Sequence, residues 1–360
     1  MRKRALVCMS GGVDSTVAAL LLKEEGYEVE GITFWFWSFP GAPDYAGKTK
    51  CCSLDRAGAA ASELRIPHRT IDASAEFYDL VVRDFVARYR SGETPNPCGR
   101  CNRYLRFRLA IDYARENGFD HVATGHHVRL VRGEDRLYHL LRGSDPKKDQ
   151  SYFLYGLSQG DLELILFPVG GLKKDEVFAV ARSADLSAAE LGESQDLCFA
   201  IDGRTDFLFT DADLKPGPIL DLAGNRLGTH EGLPRYTIGQ RRGLGIAASR
   251  PLFVVDIDPK RNALIVGREE DLYRRSLIAD EASFIAGEAP EEGLHVEAKI
   301  RYRSAPVGAV FHRIGPDRFS LQFDQPQRAI TRGQIAALYD GDELLGGGTI
   351  ARVSEREKRT

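Results

Sequence analysis

The sequence predicts an α/β protein, a doubly wound parallel sheet followed by a small central domain and a C-terminal β-barrel. Three observations carry this. Short β-branched runs alternate with helical patterns through the first two hundred residues. Glycine and proline punctuation takes over after about Ile201, and short alternating apolar and polar runs fill the chain from about Arg274. The strands read as "RALVCM" (4–9), "EVEGITFWFW" (28–37), "PHRTID" (67–72) and "HVATG" (121–125). Between them "STVAALLLKEEG", "LDRAGAAASELR", "EFYDLVVRDFVARYR" and "NRYLRFRLAIDYARENG" place apolar residues at three and four spacing, as amphipathic helices do. The central stretch includes "DLKPGPILDLAGNRLGTHEG", and the barrel strands include "HVEAKIRYR", "GAVFHRI" and "RFSLQFD". The domains expected are therefore 1–205, 206–273 and 274–360.

A chain of 360 residues, 43% hydrophobic and 28% charged, supports two or three packed domains and excludes a disordered or fibrous chain. The formal net charge of -3 provides no global attraction for nucleic acid, so any such surface is a local patch. No apolar run approaches the roughly 20 residues that span a bilayer, and the basic start feeds a strand without a cleavable apolar region. The expectation is a cytoplasmic enzyme with no membrane partner. Six cysteines are too few for a disulfide scaffold in a chain this long, and two of them form a C-x-x-C, which suits reduced, reactive or metal-bound thiols.

Chemistry first shows between the first strand and the first helix, in "CMSGGVDST", residues 8–16. A strand that ends in glycines and enters a helix through Asp14, Ser15 and Thr16 aims backbone N–H groups along the positive end of a helix dipole, which makes an anion cradle. Neither G-x-x-x-x-G-K-[ST] nor G-x-G-x-x-G is present. A glycine turn capped by Asp14 is the plainer reading. "SGGVDS" resembles the signature of the N-type ATP pyrophosphatases, which transfer AMP to an oxygen and release pyrophosphate. That resemblance implies ATP and Mg2+ as cofactors. It assigns Cys8, Met9, Ser10, Gly11, Gly12, Val13, Asp14 and Ser15 to the ATP site, with Ser10, Gly11, Gly12 and Ser15 holding the pyrophosphate and Asp14 helping to hold magnesium. It also makes Gly125, after "AT", the adenosine-side glycine and Phe34 the adenine neighbour, core burial being the rival for Phe34.

The acceptor is sought in "SGETPNPCGRCNRYLRF", residues 91–107. Two prolines pin an extended loop, and Cys98-x-x-Cys101 follows at the mouth of a basic helix, where thiol pKa values fall. A zinc half-site would need a second C-x-x-C, and there is none: the other cysteines are Cys8, the adjacent Cys51 and Cys52, to which no role is assigned, and Cys198 in "SQDLCF".

In order along the chain, "SGGVDS", "TPNPC..CN", "ATGHH", "KKDQSYFLYGLS", "FPVG", "SQDLCF", "YTIGQRRGLG" and "AKIRYR" together resemble the bacterial tRNA-specific 2-thiouridylases over nearly the whole length. The resemblance implies an ATP-dependent sulfurtransferase with the adenine nucleotide alpha hydrolase-like, PP-loop fold. Such an enzyme adenylates O2 of the wobble uridine of tRNA and replaces that oxygen by sulfur. AMP turns the C2 oxygen into a leaving group, which explains an ATP site and thiols in one chain. By the family pattern Cys198 carries a persulfide from a sulfur-relay protein or cysteine desulfurase, and Cys101 either frees that sulfur by forming a disulfide or attacks as the nucleophile. Many relatives carry aspartate where this chain has Cys98, which puts an acid/base role there in doubt. Cys98, Cys101 and Cys198 could instead offer three thiolates to a 4Fe-4S cluster that activates sulfide. The two routes stay open, and on the view that Cys98 is half of a metal or redox pair, Cys98→Ser is expected to lose most activity.

For tRNA, the window from Arg83 to Arg108 holds seven arginines against Asp84 and Glu93, net +5, with Arg100, Arg103 and Arg106 at helical spacing. A solvated helix face is the plainer alternative. The resemblance adds the anticodon stem-loop of tRNAs of the lysine, glutamate and glutamine type as partner. It marks Asn96, Pro97, Cys98, Lys148, Asp149, Gln150, Arg241, Arg242, Arg301 and Tyr302 as contacts, in a protein expected to be a monomer. The competing functions are another N-type ATP pyrophosphatase ligase, or a catalytically silent tRNA-binding relative.

Overall fold

The structure, a computed structural model, describes residues 2–36, 54–190, 197–201 and 203–354. Strand β1 (Arg4–Cys8) leads through a glycine loop into α1 (Val13–Glu24), β2 (Glu28–Trp35), α2 (Leu54–Glu63) and β3 (His68–Asp72). A long helical run follows: α3 (Ser74–Phe77), a π turn at Tyr78–Val82, and α4 (Arg83–Arg90). A second run starts at α5 (Pro97–Cys101), passes a π turn at Asn102–Arg106 and continues as α6 (Phe107–Glu116) into β4 (His121–Thr124). The hairpin β5 (Val128–Arg132) and β6 (Tyr138–Arg142) precedes α7 (Gln159–Leu162), β7 (Ile165–Leu166) and α8 (Lys174–Ser183).

The first sheet is parallel in the order β3-β2-β1-β4-β7. Period-two alternation sends Leu6 of β1 into one hydrophobic cluster and Ala5 and Val7 into the other. The first cluster is completed by Phe77, Val81, Phe85, Leu105, Phe107 and Ile111; the second by Val17, Ala18 and Leu22 of α1, Ala57 and Ala61 of α2, and Val177 and Ala181 of α8. Helices therefore cover both faces, which is the doubly wound arrangement the alternating pattern requires.

Beyond the sheet, β8 (Gly217–Leu220), β9 (Arg226–His230), β10 (Phe253–Asp258) and β11 (Ala263–Gly267) make a small four-stranded sheet. Six further strands, β12 (Tyr273–Phe284), β13 (His295–Lys299), β14 (Val307–Gly315), β15 (Arg318–Arg328), β16 (Ile335–Asp340) and β17 (Glu343–Val353), close into a barrel because β12 pairs with both β15 and β17. One connection had no local signal. The β5–β6 hairpin joins the barrel sheet at β17, with Leu141 opposite Glu343, and ion pairs Arg129–Asp342 (2.7 Å) and Arg142–Glu297 (3.0 Å) seal the contact. Among the described residues no helix is long and apolar enough to cross a membrane.

Candidate active site

The loop between β1 and α1 is an anion cradle built by close approach. Gly11 has φ +77°, and a Cβ there would lie 2.6 Å from Arg56 Cβ and 2.8 Å from the Ala57 nitrogen, so only glycine lets the start of α2 lean on the loop. Ser15 Oγ accepts from the Ser10 amide (3.1 Å) and donates to the Gly12 carbonyl (3.0 Å), to which Thr16 Oγ1 also donates (3.0 Å). No side chain caps α1, so its first amides are oriented for an anion. Gly125 belongs to the same assembly: its added Cβ would meet the Ser15 nitrogen at 2.6 Å and the Asp14 carbonyl carbon at 2.7 Å. Met9 and Val13 are buried and support the loop from below. Phe34, expected beside the adenine with core burial as the rival, is 5% exposed and faces Phe36.

Asp14 is the centre of a charged triad that the sequence pattern did not reveal. Lys174, the first residue of α8, places Nζ 2.7 Å from both carboxylate oxygens, and His127 Nε2 lies 3.0 Å from Oδ1. Burial works against the charged form of Asp14, but the His127 hydrogen bond and the Lys174 ammonium outweigh it and hold the carboxyl below its usual range. Lys174 follows a lysine at the head of an apolar-periodic segment, which reads as an ordinary helix start. His126 and His127 do point apart as adjacent residues should. His126 bonds Thr124 Oγ1 (2.8 Å), and burial, aided by Arg106 and His127, pushes it down to about 3, so it is a neutral imidazole in working conditions.

The C-x-x-C sits on a short helix that local chemistry starts cleanly. Asn96 is the N-cap, its Oδ1 accepting from the Gly99 amide at 3.0 Å, and Pro97 is the first helical residue. Cys101 is buried in the first core cluster. Cys198 packs against that same cluster, anchored by its neighbour Phe199, whose ring lies 5.8 Å from Phe77 and 5.1 Å from Phe85. Folding thus brings the two distant cysteine segments into one core. Ser194, Gln195 and Asp196 of "SQDLCF", and Cys51 and Cys52, lie outside the described residues.

Cys98 behaves differently from the expectation of a lowered thiol pKa. Cys98 is exposed as a residue, while desolvation of its thiol and then the neighbouring Cys101 push it up to about 11, against the opposing charge of Arg106. Among the described residues, no three His, Cys, Asp or Glu side chains gather as a metal-holding group. No step is assigned to a 4Fe-4S cluster on Cys98, Cys101 and Cys198.

The arginine window is not a free basic face. A π turn at Asn102–Arg106 interrupts the α-helix, and the arginines on it and before it are engaged within the protein. Arg100 bonds the Leu80 carbonyl (2.6 Å) and Asp84 (3.3 Å); Arg103 donates to the Glu281 carbonyl and stacks near Tyr104 and Tyr155; Arg106 lies over Phe36. Arg83, Arg88 and Arg90 pair with Asp79, Asp84 and Asp213.

Of the tRNA contacts named from the motifs, Arg241 and Arg242 are exposed on a loop turned by glycines at φ +88° (Gly239) and +76° (Gly243). Lys148 is half-buried. Gln150 accepts from the His127 amide (3.0 Å), and buried Asp149 accepts from Gly143 and Ser151, so both brace the loop from within. Arg301 donates to Ile238 and Ala329 carbonyls and to Thr331 Oγ1, riveting the Arg241 loop to the barrel. Tyr302 stacks 4.5 Å from Phe153.

A parallel sheet with an uncapped glycine loop at its first β–α junction, an anionic aspartate beside that loop and two cysteine segments folded into the adjoining core define a nucleotide-dependent, thiol-bearing enzyme of the phosphate-loop type. Residues 3–202 match the family described as "tRNA methyl transferase HUP domain", 205–268 the "tRNA methyl transferase PRC-barrel domain" and 274–350 the "Aminomethyltransferase beta-barrel domain". The chain is 46% identical to the tRNA-specific 2-thiouridylase MnmA of Geobacter metallireducens, with 97% of each chain covered. It is 45% identical to tRNA-specific 2-thiouridylase MnmA 1 of Caldanaerobacter subterraneus, with 98% of this chain and 99% of the other covered. The identity to the MnmA of Moorella thermoacetica is 46%, with 97% and 100% covered. The chain belongs to the tRNA-specific 2-thiouridylase family.

Proposed function

We propose that this chain carries out the activity of its family as a tRNA sulfurtransferase: O2 of the wobble uridine attacks the α-phosphorus of ATP, pyrophosphate leaves, and sulfur then displaces AMP from C2. The descriptions of the matching families speak of methyl transfer and the relatives' names of thiolation. Cys101 and Cys198 on one core favour thiolation, because a methyl transfer has no use for two thiols beside a phosphate loop. The observation that carries the ATP half is the uncapped α1 with its Ser10–Ser15 brace and anionic Asp14.

Asp14 fits a magnesium ion as a single anionic oxygen donor, the rest of such an ion's shell being phosphate and water, and the ion would neutralise charge on the departing pyrophosphate. For the sulfur half, an external persulfide donor loads Cys198. The terminal sulfur bonds to C2 while AMP leaves with the former O2. The Cys101 thiolate then attacks the Cys198 sulfur, and a Cys101–Cys198 disulfide forms as 2-thiouridine is released. An external thiol must reduce that disulfide before the next turnover. Cys98 is given no step in this scheme. The exposed Arg241 and Arg242 supply phosphate contacts to the tRNA, and the protein acts as a monomer alongside a sulfur-relay partner.

The test is a reconstituted reaction with ATP, magnesium, a lysine, glutamate or glutamine tRNA transcript and a persulfide donor. Nucleoside mass spectrometry should show 2-thiouridine, with AMP and pyrophosphate formed one for one. AMP formed without 2-thiouridine would return the chain to the wider group of ATP pyrophosphatase ligases.

A further inference from the structure

Three arginines from both sides of the thiol helix converge on one residue of the barrel. Glu281 lies on β12 where its register with β17 shifts, between Asp280 and Ser283, and it holds φ +53°, a backbone conformation that a side chain of its kind adopts only when its surroundings impose it. Its Oε2 lies 3.3 Å from Arg88 Nη2 of α4 and accepts from Thr349 Oγ1 of β17 at 2.9 Å. Its Oε1 is 3.9 Å from Arg100 Nη1 of α5, and its backbone carbonyl takes the Arg103 hydrogen bond. Asp84 bridges Arg88 (3.0 Å) and Arg100 (3.3 Å), and Glu93 holds Arg88 (3.1 Å). Two cations thus meet three carboxylates across the seam between the nucleotide domain and the barrel, with Arg103 held on the Glu281 carbonyl. The cluster borders a cavity of about 20 Å³ that reaches Asn96, the cap of the thiol helix, room for about one water molecule.

The barrel grips this helix at other points as well. A Cβ at Gly99 would meet Ile335 Cδ1 of β16 at 2.3 Å, and Thr94 and Asn96 donate to the carbonyls of Arg332 (2.9 Å) and Gly333 (3.2 Å). Those contacts set the height and entry of the helix. The Arg100 and Arg103 side chains add a further hold on its opening turns, through Asp84, the Leu80 carbonyl and the Glu281 carbonyl. The thiol helix is the opening of a helical run that continues through the π turn at Asn102–Arg106 into α6.

We propose that Glu281 is a positioning residue for sulfur transfer: by drawing Arg88 and Arg100 together from the barrel side, its carboxylate holds in place the first turn of the helix that carries Cys98 and Cys101. This rests on the sulfurtransferase reading of the same site.

The experiment compares Glu281→Gln, which keeps the shape, with Glu281→Gly, which suits the positive φ and removes the whole side chain; both keep the carbonyl that Arg103 uses. Turnover to 2-thiouridine should fall about 10-fold in each, with KM for ATP and for tRNA within about 2-fold of wild type. The rate of Cys101 alkylation by iodoacetamide should change at least about 3-fold while the melting temperature stays within a few degrees. Glu281→Asp should recover part of the turnover. Wild-type turnover and wild-type Cys101 alkylation in both variants would overturn the proposal, as would losses that track a general fall in melting temperature with every cysteine alkylated faster. The alkylation readout is independent of tRNA, so a wild-type protein that makes no 2-thiouridine would sink the functional reading while still testing Glu281.

Discussion

Lys174 Nζ stands 2.7 Å from both carboxylate oxygens of Asp14, joining the first turn of α8 to the first turn of α1 across 160 residues of sequence. The two helix N-termini therefore meet at one place, with a cation and an anion already matched there. A triphosphate entering the loop brings its own charge, and Lys174 is the ammonium best placed to meet it.

Asp14→Asn is expected to reduce pyrophosphate release by on the order of 100-fold, with the fold retained by circular dichroism. Lys174→Met should weaken ATP binding at least about 10-fold by calorimetry, since it removes the ammonium and leaves the carboxylate uncompensated. Burial opposes the charge on Asp14, but His127 and Lys174 still leave its folded pKa depressed, so the pair stabilises above the ordinary aspartate range and that contribution is lost as pH falls through the folded value. Tight ATP binding by Lys174→Met would remove the lysine from the phosphate site.

With its thiol pushed up to about 11, Cys98 is about 0.1% thiolate at pH 8. Cys98→Ser should therefore keep thiolation within about 3-fold in air with a persulfide donor, whereas Cys101→Ser and Cys198→Ser should each lose at least about 100-fold. This reverses what the C-x-x-C spacing leads one to expect. A dead Cys98→Ser protein that folds normally would restore Cys98 to the sulfur chemistry.

Arg103→Ala is expected to act on stability. It breaks the bond to the Glu281 carbonyl and the stacking on Tyr104 and Tyr155, at about 1–3 kcal/mol, and the slope of tRNA affinity against salt should stay as in wild type. Arg241→Ala with Arg242→Ala should flatten that slope by about two units. Filter binding at several salt concentrations separates the two, and a flattened slope in Arg103→Ala would return it to the tRNA face.

His139 ties the β5–β6 hairpin to the barrel through Glu343 (2.7 Å) and to Asp135 (3.2 Å), and those two hydrogen bonds, Glu343's the larger, raise its pKa against modest burial. A raised histidine stabilises fully below its ordinary value of 6.5, and the contribution is lost as pH rises through the folded value. His139→Gln should thus lower the melting temperature more at pH 5.5 than at pH 8.5. An equal difference at both would show that the imidazolium holds nothing there.

The phosphate loop was legible because its demands are local. Gly11 needs positive φ and Gly12 precedes a helix start, and both requirements are written within a few residues of one another. The doubly wound sheet was legible for the same reason, since the period of apolar residues in "RALVCM" or "STVAALLLKEEG" follows from backbone geometry alone. The Asn96 cap and Pro97 start also lie in the sequence, although they serve the helix as well as any tRNA contact.

What the sequence by itself determined about this protein is its family, its order of strands and helices, and the thiols and glycines that chemistry needs. Only the tertiary structure decided that Arg88, Arg100 and Arg103 would face Asp84 and Glu281, that the Cys98 thiol would be raised, and that His127 and Lys174 would share Asp14. The physical reason is range. Torsions, caps and apolar periodicity act between near neighbours in the chain, whereas an ion pair or a desolvated thiol depends on which distant surfaces pack together. Arg100 and Arg103, expected on an RNA-facing stripe, instead meet Asp84 and Glu281 at the seam between nucleotide domain and barrel.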